Sequence, residues 1–465
     1  MQLNPREAAG RTHRGVEAKP AGSALRRRAP RRGVVAVQCV LALSVLMGAA
    51  ALIVDGGILM SERRHVQAAA DAAALAGAID LYKNYATHAG VDTPGSAADS
   101  ARAIALANYP ADPANVAVTV SIPPQSAESS SYNGKAGYVE VRVTYAQERG
   151  LSTIWSSSRI PVTGRAIARG RWAPSDFAIL TLAPTGAAEF NVSGGGSVEV
   201  NGGSIMVNSN DVGALKNSGG GSVKASSIEV VGDYTGGGSF STTPKTGSMP
   251  IEDPLKLLAA PAIPSPGNFT MTSIPNSNAK RYTLSPGAYD GNGGTPMPSF
   301  KSGDEVIFKQ ADANSAGGIY YLYKGLKTSG VTMTMGDGTG GMMFYNAGVG
   351  SSDGFSITGN ASGTVNLSGL DGTASSTRAY KGLIYYQARG STQDVSVAGN
   401  GSFTLRGTFY APSAALKVTG NSSTPPSTIG SQYIANSLTV SGGGAVVLDY
   451  NSGLVAPARF IGLVE

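Results

Sequence analysis

The distribution of apolar and polar positions divides the chain into regions of different period. Residues 33–54 form an uncharged, mostly apolar run that ends at Asp55. A helix of that length rises about 33 Å, enough for a hydrocarbon core of about 30 Å. "SERRHVQAAADAAALAGAID" (61–80) is alanine-rich and proline-free, which predicts that the helix continues past the run. "SAADSARAIALANYP" predicts a second helix from Ser96 that ends before Pro110. "NVAVTVSI" (115–122) and "GYVEVRVTY" (137–145) alternate with period two, as strands do, and "RIPVTGRAIARG" (159–170) reads as a third strand.

From residue 172 onward the pattern repeats. "FSITGN" (355–360), "VSVAGN" (395–400), "LKVTGN" (416–421) and "LTVSGG" (438–443) share one motif, with starts 40, 21 and 22 residues apart, and "FNVSGG" (190–195) matches it. A second series opens on Gly318, Gly341, Gly382, Gly407 and Gly430, at intervals of 23, 41, 25 and 23 residues. One interval in each series is close to double, as if one repeat had drifted. Short strands at this period, turned at Gly and Asn corners that accept left-handed backbone angles, predict an all-β solenoid (β-helix) for residues 172–465. Three residues after each glycine stands Tyr321, Phe344, Tyr385, Tyr410 or Tyr433, an expected aromatic column. The opposite parity is also largely apolar, so both faces of this strand should be covered. The Pro-rich stretch 250–269, within an insertion near 243–300, is the expected cover, with a partner as the alternative. Exposed rings would instead suit a glycan.

Charge is confined to one end. Residues 1–32 carry nine Arg or Lys against two Glu, while the rest holds 27 basic and 28 acidic residues, so the net +6 belongs to a tail. The body has no basic field for nucleic acid. Arg26, Arg27, Arg28, Arg31 and Arg32 set the expected topology, with residues 1–32 cytoplasmic, 33–59 spanning and everything later outside the membrane. A cleavable leader is the alternative, with Gly48 to Ala51 as small residues at the cut. The single cysteine, Cys39, lies inside the apolar run, so stacking rather than disulfides must hold the body together.

The order RRG, apolar run, VDGG, then ERRHVQAAADAAALAGA resembles the N-terminal region of TadG-like proteins of the Flp (tight adherence) pilus assembly system. The resemblance is specific over residues 31–80 and looser to about 171. It implies a bacterial inner-membrane protein with a small α+β, pilin-like stem over 60–171, and pilus-assembly or pilin-like proteins as partners. Pilin-like members carry a processed glycine followed at the fifth position by glutamate; here Gly33 is followed at that position by Gln38. Ala70, Ala74, Gly77 and Ala78 are the expected packing face for a partner helix. The C-terminal half resembles β-helical passengers of surface and pilus-assembly proteins in architecture only.

Catalytic chemistry is sparse. The histidines are His13, His65 and His88, none in the repeats, which removes His-based triads and zinc sites there. "GDGTGG" (336–341) has the spacing of a dinucleotide loop but precedes "MMFYN", a strand pattern, where such a loop needs a helix. "DVSVA" (394–398) lacks the second serine of the metal-binding D-x-S-x-S of von Willebrand A domains. The expectation is a non-enzymatic structural and interaction protein without cofactor or metal. A surface adhesin or glycan-binding module is the alternative, and a β-helical polysaccharide lyase the third.

Overall fold

The computed structural model describes residues 32–465 apart from 110–112, 127, 129–130, 292, 311–317, 360–362, 400–401 and 421–426. Arg26, Arg27, Arg28 and Arg31 of the basic tail lie outside the described residues, as do the corner residues Asn360, Asn400 and Asn421. The chain divides into two units, one of residues up to 61 with 148–160, the other of 62–147 with 161–465.

Helix α1 (Arg32–Lys83) is continuous for 52 residues. It is followed by the short α2 (Tyr85–His88) and by α3 (Ser96–Asn108). Asp92 stops the free N-terminus of α3: its carboxylate accepts from the N–H groups of Ala97 and Ala98 at 3.1 and 2.9 Å. Strands β1 (Val116–Ser121), β2 (Tyr138–Gln147) and β3 (Ile160–Ala173) form a sheet in that order. Its fourth strand is Ala458–Leu463, antiparallel to β3 from Ala168↔Leu463 to Ala173↔Ala458. This corrects the expectation that the repeats run to residue 465. The returning strand covers what would otherwise be an open edge of β3.

Between Phe177 and Asp449 the strands line up in parallel ladders, save that Asn268–Ser273 at one end runs antiparallel to Lys280–Ser285, and successive passes of the chain contribute one strand to each of three ladders. Ile319–Leu322, Leu326–Ser329 and Thr332–Met335 make one pass, and Met343–Asn346, Phe355–Thr358 and Thr364–Ser368 the next, paired with it strand for strand. The next two passes follow in the same manner. Phe355–Thr358 pairs directly with Val395–Ala398, so the long interval is one long pass, containing the 3₁₀ turn Arg378–Tyr380, and no drifted repeat lies between. The five series glycines adopt φ of 73–121°, the left-handed corner conformation open to glycine. "GDGTGG" connects the strands ending at Met335 and starting at Met343.

The stacking order differs from the chain order. Strand Gln432–Gly442 pairs with Phe177–Thr181 and Phe190–Val192, and Val446–Asp449 with Val198–Asn201. The chain therefore enters mid-ladder and climbs to one end at Ser239–Phe240. It resumes at the other end with Asn268–Ser273 and winds back to the middle. Buried Gln432 joins the last pass to the first, its amide donating to the Phe177 carbonyl at 2.7 Å and to Ser175 Oγ at 2.8 Å.

The register separates the expected aromatic column into two. Tyr320, Phe344, Tyr385, Phe409 and Tyr433 are mutually paired, and Tyr321, Tyr345, Tyr386, Tyr410 and Ile434 form the neighbouring row. Tyr321 and Tyr410 thus belong to the face opposite Phe344, Tyr385 and Tyr433. Counting from the glycine fails because the corners differ in length and the Leu383/Tyr385 step is irregular, and one residue of slip reverses the side-chain face. The first row shares a core with side chains of the other ladders, such as Phe190, Val198, Phe355 and Val446. The second row packs with Leu255 and Leu258 of the Pro-rich stretch.

Candidate functional site

Two features carry chemistry beyond simple packing: α1 with the sheet beneath it, and the strap that the Pro-rich stretch 250–269 lays over the tyrosine row.

The first part of α1 is apolar on every side and uncovered. Val34, Leu41, Val45, Leu46, Leu52 and Ile53 are all at least half exposed. A helix that is hydrophobic all round must be buried in something, and this one is long and apolar enough to cross a membrane. Gly33 and Gln38 lie exposed in its first turns.

Beyond Glu62 the same helix changes character. Val66, Ala69, Ala70, Ala73, Ala74, Gly77, Ala78 and Leu81 are buried, at the three- and four-residue spacing of one helix face. This face was expected to receive a partner helix; the chain's own sheet and α3 fill it instead. A Cβ on Gly77 would stand 3.1 Å from Val139 Cγ1 and 3.3 Å from Ala101 Cβ. Two glycines of β3 permit the close approach from the other side. A Cβ on Gly164 would lie 2.7 Å from the Gln67 backbone N, and one on Gly170 only 1.8 Å from the Ala78 carbonyl oxygen. The Gln67 side chain completes the seam: its amide donates to the Arg165 carbonyl at 2.7 Å and accepts from the Arg165 N–H at 3.2 Å.

On β2 and β3, Glu140 is buried and Arg165 Nε donates to it at 2.7 Å, with Ser126 Oγ donating at 2.8 Å. Burial pushes the Glu140 carboxyl up, but the hydrogen bonds from Arg165 and Ser126 outweigh it and hold the group below the ordinary glutamate value. Arg165 also pairs with Glu465 at 3.1 Å, which ties residues after the last ladder pass to the stem.

The strap is held by Arg389. Its guanidinium donates to the carbonyls of Leu255 and Leu258 at 2.7 and 2.9 Å and to the hydroxyls of Tyr386 and Tyr410 at 2.9 and 3.1 Å. Tyr410 in turn donates to Asp253 at 2.6 Å. Burial raises the Asp253 carboxyl, partly opposed by the Tyr410 hydrogen bond. Sequence distance hid this partnership, since Asp253 and Arg389 are far apart along the chain.

Tyr321, Phe344, Tyr385, Tyr410 and Tyr433 are all buried, so no ring of this set is presented for stacking against a sugar. Tyr385 donates to Gln387 at 2.6 Å, whereas the buried Tyr433 hydroxyl has no hydrogen-bond partner among the described residues. Asp394, at the head of "DVSVA", pairs with Lys417 across adjacent passes. Among the described residues no group of three or more His, Cys, Asp or Glu is gathered in a metal-binding cluster.

No curated protein and no solved structure matches the chain. Residues 33–80 match the family described as "Putative Flp pilus-assembly TadE/G-like". The match spans the uncovered apolar run and the small-residue face, and over this stretch the chain is similar to TadE/G-like pilus-assembly proteins.

Proposed function

We propose that the protein is a membrane-anchored, non-catalytic component of a Flp-type pilus assembly system. Residues 33–59 span the bacterial inner membrane with the basic tail in the cytoplasm. The stem and a β-solenoid formed by the stacked passes lie outside. The observation that carries this reading is that one unbroken helix joins an uncovered, membrane-length apolar run to a face packed into the stem, and that the TadE/G-like match covers both parts. Strap and ladder side chains are spent on one another, which supports a scaffold over a binding cleft.

The test is a deletion in the native cells, with surface pili counted by electron microscopy. Pili are expected to disappear, to return with the full chain, and to stay absent with Val45→Arg/Leu46→Arg, since each charge near the bilayer centre costs about 2.5–3.5 kcal/mol. Unchanged piliation in the deletion strain would overturn the reading. Intact-mass analysis of the membrane fraction separates two forms of it: a start at Val34 means prepilin-type processing despite Gln38, and a start near Met1 means a permanent anchor.

A further inference from the structure

Residues 148–160 form one unit with α1 up to Ser61. Gly150 sits against the helix so closely that a Cβ there would lie 2.5 Å from Asp55 Oδ1. Asp55 is buried, and its carboxylate accepts from the backbone N–H groups of Leu151 and Ser152, both at 2.9 Å. These bonds hold the 3₁₀ turn Leu151–Ile154. Arg149 Nε closes the loop onto the Ser158 carbonyl at 2.7 Å. The turn is thus fixed at its base, yet it leaves its bulky apolar side chains bare: Leu151 is 47 % exposed, Ile154 70 % and Trp155 64 %.

A fixed turn that holds three such residues outward needs an apolar surface to receive them. Position along α1 selects which. Asp55 closes the uncharged run, about 33 Å of helix beyond Gly33, where a hydrocarbon core of about 30 Å gives way to headgroups. Leu52, Ile53 and Val54, immediately before it, are exposed as well, so the apolar surface of the helix runs up to the base of the turn. Tryptophan is enriched at that depth, its amphipathic ring sitting at the headgroup level. We propose that the Leu151–Trp155 turn inserts into the lipid interface beside the exit of α1, as a second, shallow attachment to the membrane. The inference rests on reading residues 33–54 as the span. Its consequence is orientation: a single helix leaves the stem free to tilt and rotate, and a wedge on one side of it does not.

The chain has tryptophan only at positions 155 and 172, so Trp172→Phe leaves Trp155 as a sole reporter. The full-length variant is reconstituted into phosphatidylcholine–phosphatidylglycerol vesicles and recovered by flotation. Emission should be blue-shifted, and quenched more by lipids brominated near the carbonyl end of the acyl chain than by lipids brominated near its tip. Adding Asp55→Ala should weaken that quenching. Subtracting the emission of Trp155→Phe from that of the unmodified protein gives the same readout with Trp172 in place. Protein that floats but shows no bromolipid quenching overturns the insertion and leaves the anchor standing; protein that does not float overturns both. A blue shift that needs added cell protein and ignores brominated lipid assigns the turn to a protein partner and also overturns the proposal.

Discussion

Gly170→Ala tests the seam between α1 and the sheet most directly. The added Cβ would stand 1.8 Å from the Ala78 carbonyl oxygen and 2.7 Å from its carbon, and both atoms are backbone, so no side chain can swing aside. Restoring ordinary contact requires α1 and β3 to separate by roughly 1.5 Å, whereas a gap of 0.5–1 Å already forfeits a quarter to a half of each dispersion contact. The face that would open includes Ala70, Ala73, Ala74 and Ala78, all fully buried. Overpacking a close-packed site costs about 1–3 kcal/mol, and a backbone-on-backbone clash belongs at or above the top of that range. We therefore expect a loss of about 3 kcal/mol or more from the stem. The assay is urea unfolding in detergent micelles on a Trp155→Phe background, followed by Trp172, whose ring stacks on Tyr85 at 5.5 Å. Gly57→Ala is the control: its Cβ meets nothing within 4 Å, and a helical Gly-to-Ala change should be neutral or stabilise by up to about 1 kcal/mol. A Gly170→Ala midpoint within about 0.5 kcal/mol of its parent would refute the reasoning.

Three further outcomes follow from the same geometry. Arg389→Ala removes four hydrogen bonds and the cation facing Asp253, and should cost about 2–4 kcal/mol and speed tryptic cleavage at Lys256 in the strap. Because Glu140 titrates below its unfolded value, its contribution is present above the ordinary glutamate pKa of about 4.3 and is lost as pH falls through the folded value. Urea midpoints measured from neutral pH downward should fall across that window in the parent and much less in Glu140→Gln. Tyr433→Phe deletes a buried hydroxyl without a partner among the described residues and should be neutral or stabilise by about 1 kcal/mol, while Tyr385→Phe, which loses the bond to Gln387, should cost about 1 kcal/mol by thermal melting.

What was legible in the sequence follows the range of the interactions. The helix through Ala78 and the stem strands announce themselves by local period, and the ladder strands by a repeat near 23 residues. The cover over the outer tyrosine row was legible from parity alone, because a strand apolar on both sides must be buried on both. Register was not: Tyr320 and Tyr321 differ by one position, and the corner geometry that decides between them has no local signal. Nor was the pairing of Tyr433 with Ile179, or of β3 with Ala458–Leu463, since neither is encoded by neighbouring residues. Gly164 and Gly170 were a signal in plain view, two small residues on one face of a predicted strand, and they mark where the helix lies.

The out-of-sequence stacking has a kinetic consequence. The passes from Phe177 to Phe240 have no neighbour on one side until residues 432–449 arrive, and that junction joins residues some 250 positions apart. Such a topology has high contact order and closes late. During folding the early passes must wait with an unpaired edge, open to aggregation or to a chaperone, while the strap crosses toward the far end. Only a chain that has been made as far as residue 449 can close the junction, so interrupted synthesis leaves an open ladder and no finished stem sheet. The order of stacking therefore couples assembly of the stem to arrival of the last passes.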